Sequence, residues 1–141
     1  MANDQVSIDA FLMENVADTN DTKEVKFARF NAPFVVVAVS AERAGQLKKL
    51  ATRRLRNKAG ISTQETDQDR YVDLLIVESL KSPNPNNAKL QENWGTPGDA
   101  VATLKRMLKV GEYADLANAV QEVSGFDLDD EPDELREQVK N

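Results

Sequence analysis

The stretch YVDLLIV, residues 71–77, places Tyr71, Val72, Leu74, Leu75, Ile76 and Val77 around most of a helical circumference. A helix that is apolar on nearly every side cannot rest on a surface, so other elements must wrap it. Just before it, Thr66-Asp67-Gln68-Asp69 resembles a capping box, in which side-chain oxygens take up unpaired amides of the first turn. The spacing predicts a central helix running to Leu80. SPNPNN, 82–87, then breaks the chain with two prolines in a polar run.

The other predicted elements supply that wrapping. Ser7 is positioned to cap a short helix through Asn15, with Ile8, Phe11 and Leu12 on one face. EVKFARF, 24–30, and the β-branched run FVVVAV, 34–39, flank Asn31-Ala32-Pro33 and read as a hairpin, the only convincing β signal. Ser40 opens a helix that the pattern carries to about Lys58, with Gly60 ending it. Ala44, Leu47, Ala51 and Leu55 form its apolar stripe. A short helix over 88–94 precedes Gly95. Thr96-Pro97-Gly98-Asp99 reads as the next start, with Thr96 as cap and Pro97 at the first helical position. That helix carries Val101, Leu104, Met107 and Leu108 on one face, and Gly111 is placed to end it. The last strong helix, 112–123, aligns Tyr113, Leu116, Ala117, Val120 and Val123, with Gly125 closing it and Phe126 folding back. The expected fold is therefore mainly α, a helical bundle with a small N-terminal β-hairpin at about 24–39, as one domain over 1–126.

Chemistry is limited by what the chain lacks. It has no cysteine and no histidine, which removes disulfides, thiolate and imidazole metal ligands, and an imidazole base. No glycine loop has P-loop spacing, and the Asp127–Glu131 alternation has Pro132 where a calcium loop needs glycine. No apolar run reaches the roughly 18 residues of a membrane helix. These features point to a soluble protein of a reducing compartment, most simply cytoplasm, with no cofactor and no metal. Enzymes using serine, lysine or carboxylates stay open as a class.

The charge of −6 is unevenly spread. Residues 127–141 hold seven acids and two bases, net −5, and are expected to be a weakly ordered tail, with only Leu128, Leu135 and Val139 as apolar residues. Residues 41–58 hold seven bases against Glu42. Such a cluster is the footprint of a nucleic-acid binder, so a nucleic-acid-associated protein using helix 41–58 is the alternative reading. The acidic total and the absence of interleaved aromatics argue against it.

Several short patterns recur in one family. ML-x-x-GEY-x-x-L at 107–116 and V-x-x-x-SGF at 120–126 stand in order after Arg29-Phe30, Ser40, Ser82-Pro83 and Trp94-Gly95, with Lys140-Asn141 closing the chain. This series resembles the small tail assembly chaperones of long-tailed bacteriophages and Bacillus-type prophages. The resemblance implies a non-enzyme of the host cytoplasm that is absent from the mature virion. It also implies that the protein binds and solubilises the tape measure protein and helps recruit tail tube protein; many such chaperones are made in a longer frameshifted form as well. Self-association is compatible with this reading. The candidate partner-binding residues are Trp94, Tyr113, Leu116, Val120 and Phe126, on the second helical pair, because apolar stripes seat amphipathic helices and aromatic anchors dominate interface energy. The alternative reading, and the commoner fate of such side chains, is that they fill the core.

Overall fold

A computed structural model describes residues 7–17 and 21–125. Phe126 and the acidic stretch 127–141 lie outside the described residues. The chain builds an α+β fold, which corrects the expected helical bundle with one hairpin: among the described residues there are five α-helices and two antiparallel sheets. Strands β1 (Thr22–Val25), β2 (Phe34–Val37) and β5 (Leu80–Ser82) make the first sheet in the order β1-β2-β5. Strands β3 (Thr52–Arg56) and β4 (Ser62–Thr66) make the second. The helices are α1 (Ala41–Leu50), α2 (Gln68–Ser79), α3 (Ala88–Asn93), α4 (Ala100–Met107) and α5 (Val110–Ser124).

Helix α2 is the centre that its composition demands. It packs against α1, α4, α5 and β5, with Leu75 and Ile76 fully buried. Asp67 caps it, its carboxylate accepting from Arg70 N. The first sheet closes one side of this core. In β2, Phe34 and Val36 point inward and Val35 and Val37 are half-buried, the alternation of a strand with one covered face. Val25 lies opposite Phe34 and Lys23 opposite Val36 in the β1–β2 register. The expected first strand is shorter than its pattern. It ends at Val25, and residues 27–33 form a loop whose Phe27 and Phe30 rings turn back onto Phe34, with centroids 5.3 and 5.1 Å from it. The third strand, β5, follows directly from α2 and was not expected, because LKS carries no alternation to read.

Three further corrections are local. Helix α1 stops at Leu50, and the arginine-rich stretch read as its second half is strand β3. Thr52 turns its hydroxyl to the carbonyl of Lys48 and to Thr66 Oγ1 across the hairpin, both at 2.7 Å. Beyond it, Asn57 Oδ1 accepts from Ala59 N and Ile61 N, at 2.9 and 3.0 Å. Gly60 completes that turn at φ +81°, where a side chain would be strained. The break between the last two helices falls at Leu108 and Lys109, both extended, while Gly111 sits inside the first turn of α5. Near the N-terminus the expected helix is a pair of 3-10 turns, Ile8–Phe11 and Met13–Asn15, with Ser7 capping the first and no buried residue in either.

Candidate partner-binding site

The residues around Trp94 are held by a network rooted in α3. Gln91 is buried; its amide donates to the carbonyl of Pro85 and its side-chain oxygen accepts from Gly98 N, at 2.9 and 3.0 Å. Its backbone carbonyl accepts from Thr96 N at 2.8 Å. Thr96 is consequently a buried tie to Thr103, with hydroxyls 2.6 Å apart, and not the cap of α4. That cap is Asp99, which accepts from Ala102 N at 3.0 Å. Arg106 Nη1 donates to the carbonyl of Trp94 at 3.0 Å, fixing the end of α3 on α4. A Cβ on Gly95 would stand 3.0 Å from that guanidinium nitrogen, so the close approach uses the missing side chain.

This scaffold leaves an open apolar groove of about 410 Å³. Phe30, Pro33, Pro83, Leu90, Trp94 and Met107 are its apolar walls. Pro83 and Leu90 also border a second hollow of about 310 Å³, whose remaining lining includes Asn84, Asn87 and Asn93. The two share walls and so form one surface, apolar in the middle with a polar end. Four segments far apart in sequence meet there: the 27–33 loop, the Ser82-Pro83 corner, α3 with Trp94, and the end of α4 at Met107. Among the described residues expected to bind a partner, Trp94 alone lines this groove. It is half-buried, anchored and still accessible.

Tyr113 lies elsewhere. Its hydroxyl donates to Asp73 Oδ1 at 2.7 Å, and Lys105 Nζ pairs with Asp73 Oδ2 at 2.9 Å while standing 5.7 Å over the tyrosine ring. Burial, followed by the Asp73 hydrogen bond, pushes the phenol well above its ordinary range. It therefore stays a donor throughout the working pH range. Leu116 and Val120 are core residues, 0% and 1% exposed, and reach a partner only if the core opens. Phe126 lies outside the described residues. The expected set is thus divided between groove, polar tie and core.

Sequence reasoning missed Phe30, Pro33, Pro83, Leu90 and Met107 as groove walls. Two of the patterns that carry the family resemblance, Arg29-Phe30 and Ser82-Pro83, already held the signal. A third, GEY at 111–113, has a structural explanation. The Glu112 carboxylate accepts from Lys109 N at 2.8 Å, capping α5, and pairs with the Arg29 guanidinium. Arg29 also donates to the carbonyl of Met107 at 3.0 Å and stands 5.0 Å over the Phe30 ring. The hydrogen bond from Arg29, then that from Lys109, holds the Glu112 carboxyl below its usual range. Arg29 thus fixes the groove's Phe30 wall to the α4–α5 junction.

Comparison with known proteins places this architecture. A family model described as the phage XkdN-like tail assembly chaperone protein matches residues 8–140. YqbN of Bacillus subtilis (strain 168) is 36% identical over 110 residues, which cover 77% of this chain and 72% of that protein. The phage-like element PBSX protein XkdN of the same organism is 32% identical over a stretch of the same length and coverage. The crystal structure of the protein YqbN superposes with a TM-score of 0.68 at 27% identity, covering 87% of this chain and 99% of that one. With the family model spanning nearly the whole sequence, the chain belongs to the XkdN-like tail assembly chaperones of phages and prophages.

Proposed function

We infer that this tail assembly chaperone acts by binding, without covalent chemistry, in the host cytoplasm. Its client is the tape measure protein, which it keeps soluble while tail tube subunits are recruited; it then leaves before the virion is complete. The observation that supports this reading is the groove at Phe30, Pro83, Leu90 and Trp94. An open apolar trough with an anchored aromatic and a polar end suits an amphipathic helix laid along it. Trp94 is the contact expected to carry most energy, since half-buried aromatics at the centre of a patch dominate truncation costs. Tyr113, Leu116 and Val120 belong instead to the Asp73 tie and the core, and are not part of the groove.

Co-expression with the tape measure protein tests this. Trp94→Ala and Phe30→Ala, each confirmed folded by circular dichroism, are expected to lower the soluble fraction of tape measure protein several-fold. Folded variants with undiminished solubilising activity would refute the groove as client site. Loss of recruitment of tail tube protein with tape measure solubility intact would separate the two proposed partners.

A further inference from the structure

The β3–β4 hairpin is a basic arm. Residues 48–66 hold six bases, Lys48, Lys49, Arg53, Arg54, Arg56 and Lys58, against the single acid Glu65, net +5. All six basic side chains are exposed, and among the described residues none of them makes an ion pair. Such a concentration of like charge on a two-stranded hairpin opposes its own folding, because an isolated hairpin is marginal even without repulsion. The register places Thr52, Arg54 and Arg56 on one face with Thr66, Gln64 and Ser62. Between that face and the last turns of α1 lies a cleft of about 660 Å³, bordered by Gly45, Lys48, Lys49, Thr52, Gln64 and Thr66. The arm therefore offers a concave, cationic seat.

We propose that this seat is a docking site for acidic polypeptide, and that in the free protein its occupant is the chain's own stretch 127–141. Charge complementarity is the first argument: that stretch carries net −5 against the arm's +5. Position is the second. Helix α5 ends at Ser124, with Gly125 as its C-cap, and Ser124 Oγ accepts from Val39 N at 3.1 Å. The chain thus leaves α5 beside Ser40, the first residue before α1. The basic cluster begins near the other end of α1, a helix of ten residues and so about 15 Å long. The sixteen residues after Gly125 span up to about 50 Å extended, ample for the distance. Tethering adds a local concentration on the order of millimolar, which makes individually weak exposed ion pairs effective together. An acidic client segment would have to displace this stretch to use the arm.

Zero-length carbodiimide crosslinking of the full chain reads the contact directly, since it joins lysine amines only to touching carboxylates. Links are expected from Lys48, Lys49 or Lys58 to acids among Asp127–Glu137. Their yield should fall several-fold between low and half-molar salt. It should fall similarly in R54Q/R56Q, and in D129N/D130N/E131Q. Yields no higher than those from the exposed Lys89 and Lys109 would overturn the proposal. So would links found only between isotopically distinct copies, which would make a second chain the occupant. Binding of duplex or single-stranded DNA through the arm, undiminished when the acidic stretch is intact, would make nucleic acid the occupant and overturn it equally.

Discussion

Glu112 and Tyr113 are neighbours in the chain that tie different parts of the molecule. Glu112 reaches back to cap α5 and across to Arg29, while Tyr113 points at Asp73 in the central helix. Tyr113→Phe keeps the ring and leaves the Asp73 carboxylate one donor short. Hydrogen bonds to charged groups are worth about 1.5–3 kcal/mol, so urea unfolding should show a loss of that order. An unchanged midpoint would show that water replaces the donor without cost. Glu112 gives a pH prediction with a definite sign. Its folded carboxyl titrates below the ordinary value of 4.5, so below that value the unfolded chain binds the proton first. The stabilisation is therefore complete above about 4.5 and is lost as pH falls through the folded value. Stability measured from pH 7 to 3 should fall less steeply on its acid limb in Glu112→Gln than in the parent. Parallel limbs would show that the pair contributes nothing.

At the scale of elements, the β3–β4 hairpin separates what holds the fold from what projects from it. Its strand residues from Arg53 onward are exposed until Thr66, and the hairpin's base is secured by Thr52–Thr66 and by Asp67 N donating to the carbonyl of Ala51 at 2.8 Å. Replacing 53–65 with Asn-Gly keeps both ties and closes the strands with a favourable two-residue turn. The melting temperature should change by no more than a few degrees; a larger fall would place the arm in the folding core. The same exposure explains why the hairpin was illegible. Ala44, Leu47, Ala51 and Leu55 have helical spacing, yet Leu55 is 38% exposed. An apolar stripe that meets no partner cannot extend a helix, and Thr52 takes the last turn's carbonyl instead. Both hairpin faces are mostly polar, so no alternation marks the strands, and only Asn57 to Gly60 gives a turn signal. Helices α2, α3 and α5 were legible because each has a buried face or a clear cap. The groove was illegible as a unit because Phe30, Pro83 and Trp94 become neighbours only through packing.

At the scale of the whole molecule, the first sheet and the helices share one core. Phe27, Phe34 and Val36 belong to the same buried cluster as Leu75, Leu104, Leu116 and Val120. Strand β2 lies between β1 and β5, and Ser79 Oγ donates to the carbonyl of Val37 at 2.5 Å, stitching the end of α2 to that strand. A chain beginning at Ser40 would lose β1, β2 and all three buried side chains. It would uncover Ile76 and Leu80 and leave β5 without a partner, a sheet edge open to other chains. The expected outcome is an aggregating product or one without a cooperative transition. Phe34→Ala gives the point-mutation version. Emptying so buried an aromatic site costs about 3–5 kcal/mol, a large share of the roughly 5–15 kcal/mol that holds a domain together. The edge-to-face contacts with Phe27 and Phe30 would be lost as well. Phe30 would lose its support in the groove, so under the proposed function client solubilisation should fall even at temperatures where the variant remains folded. A monomeric, fully stable chain from Ser40, or a Phe34→Ala variant unfolding within a degree of the parent, would show that the helices alone make the core.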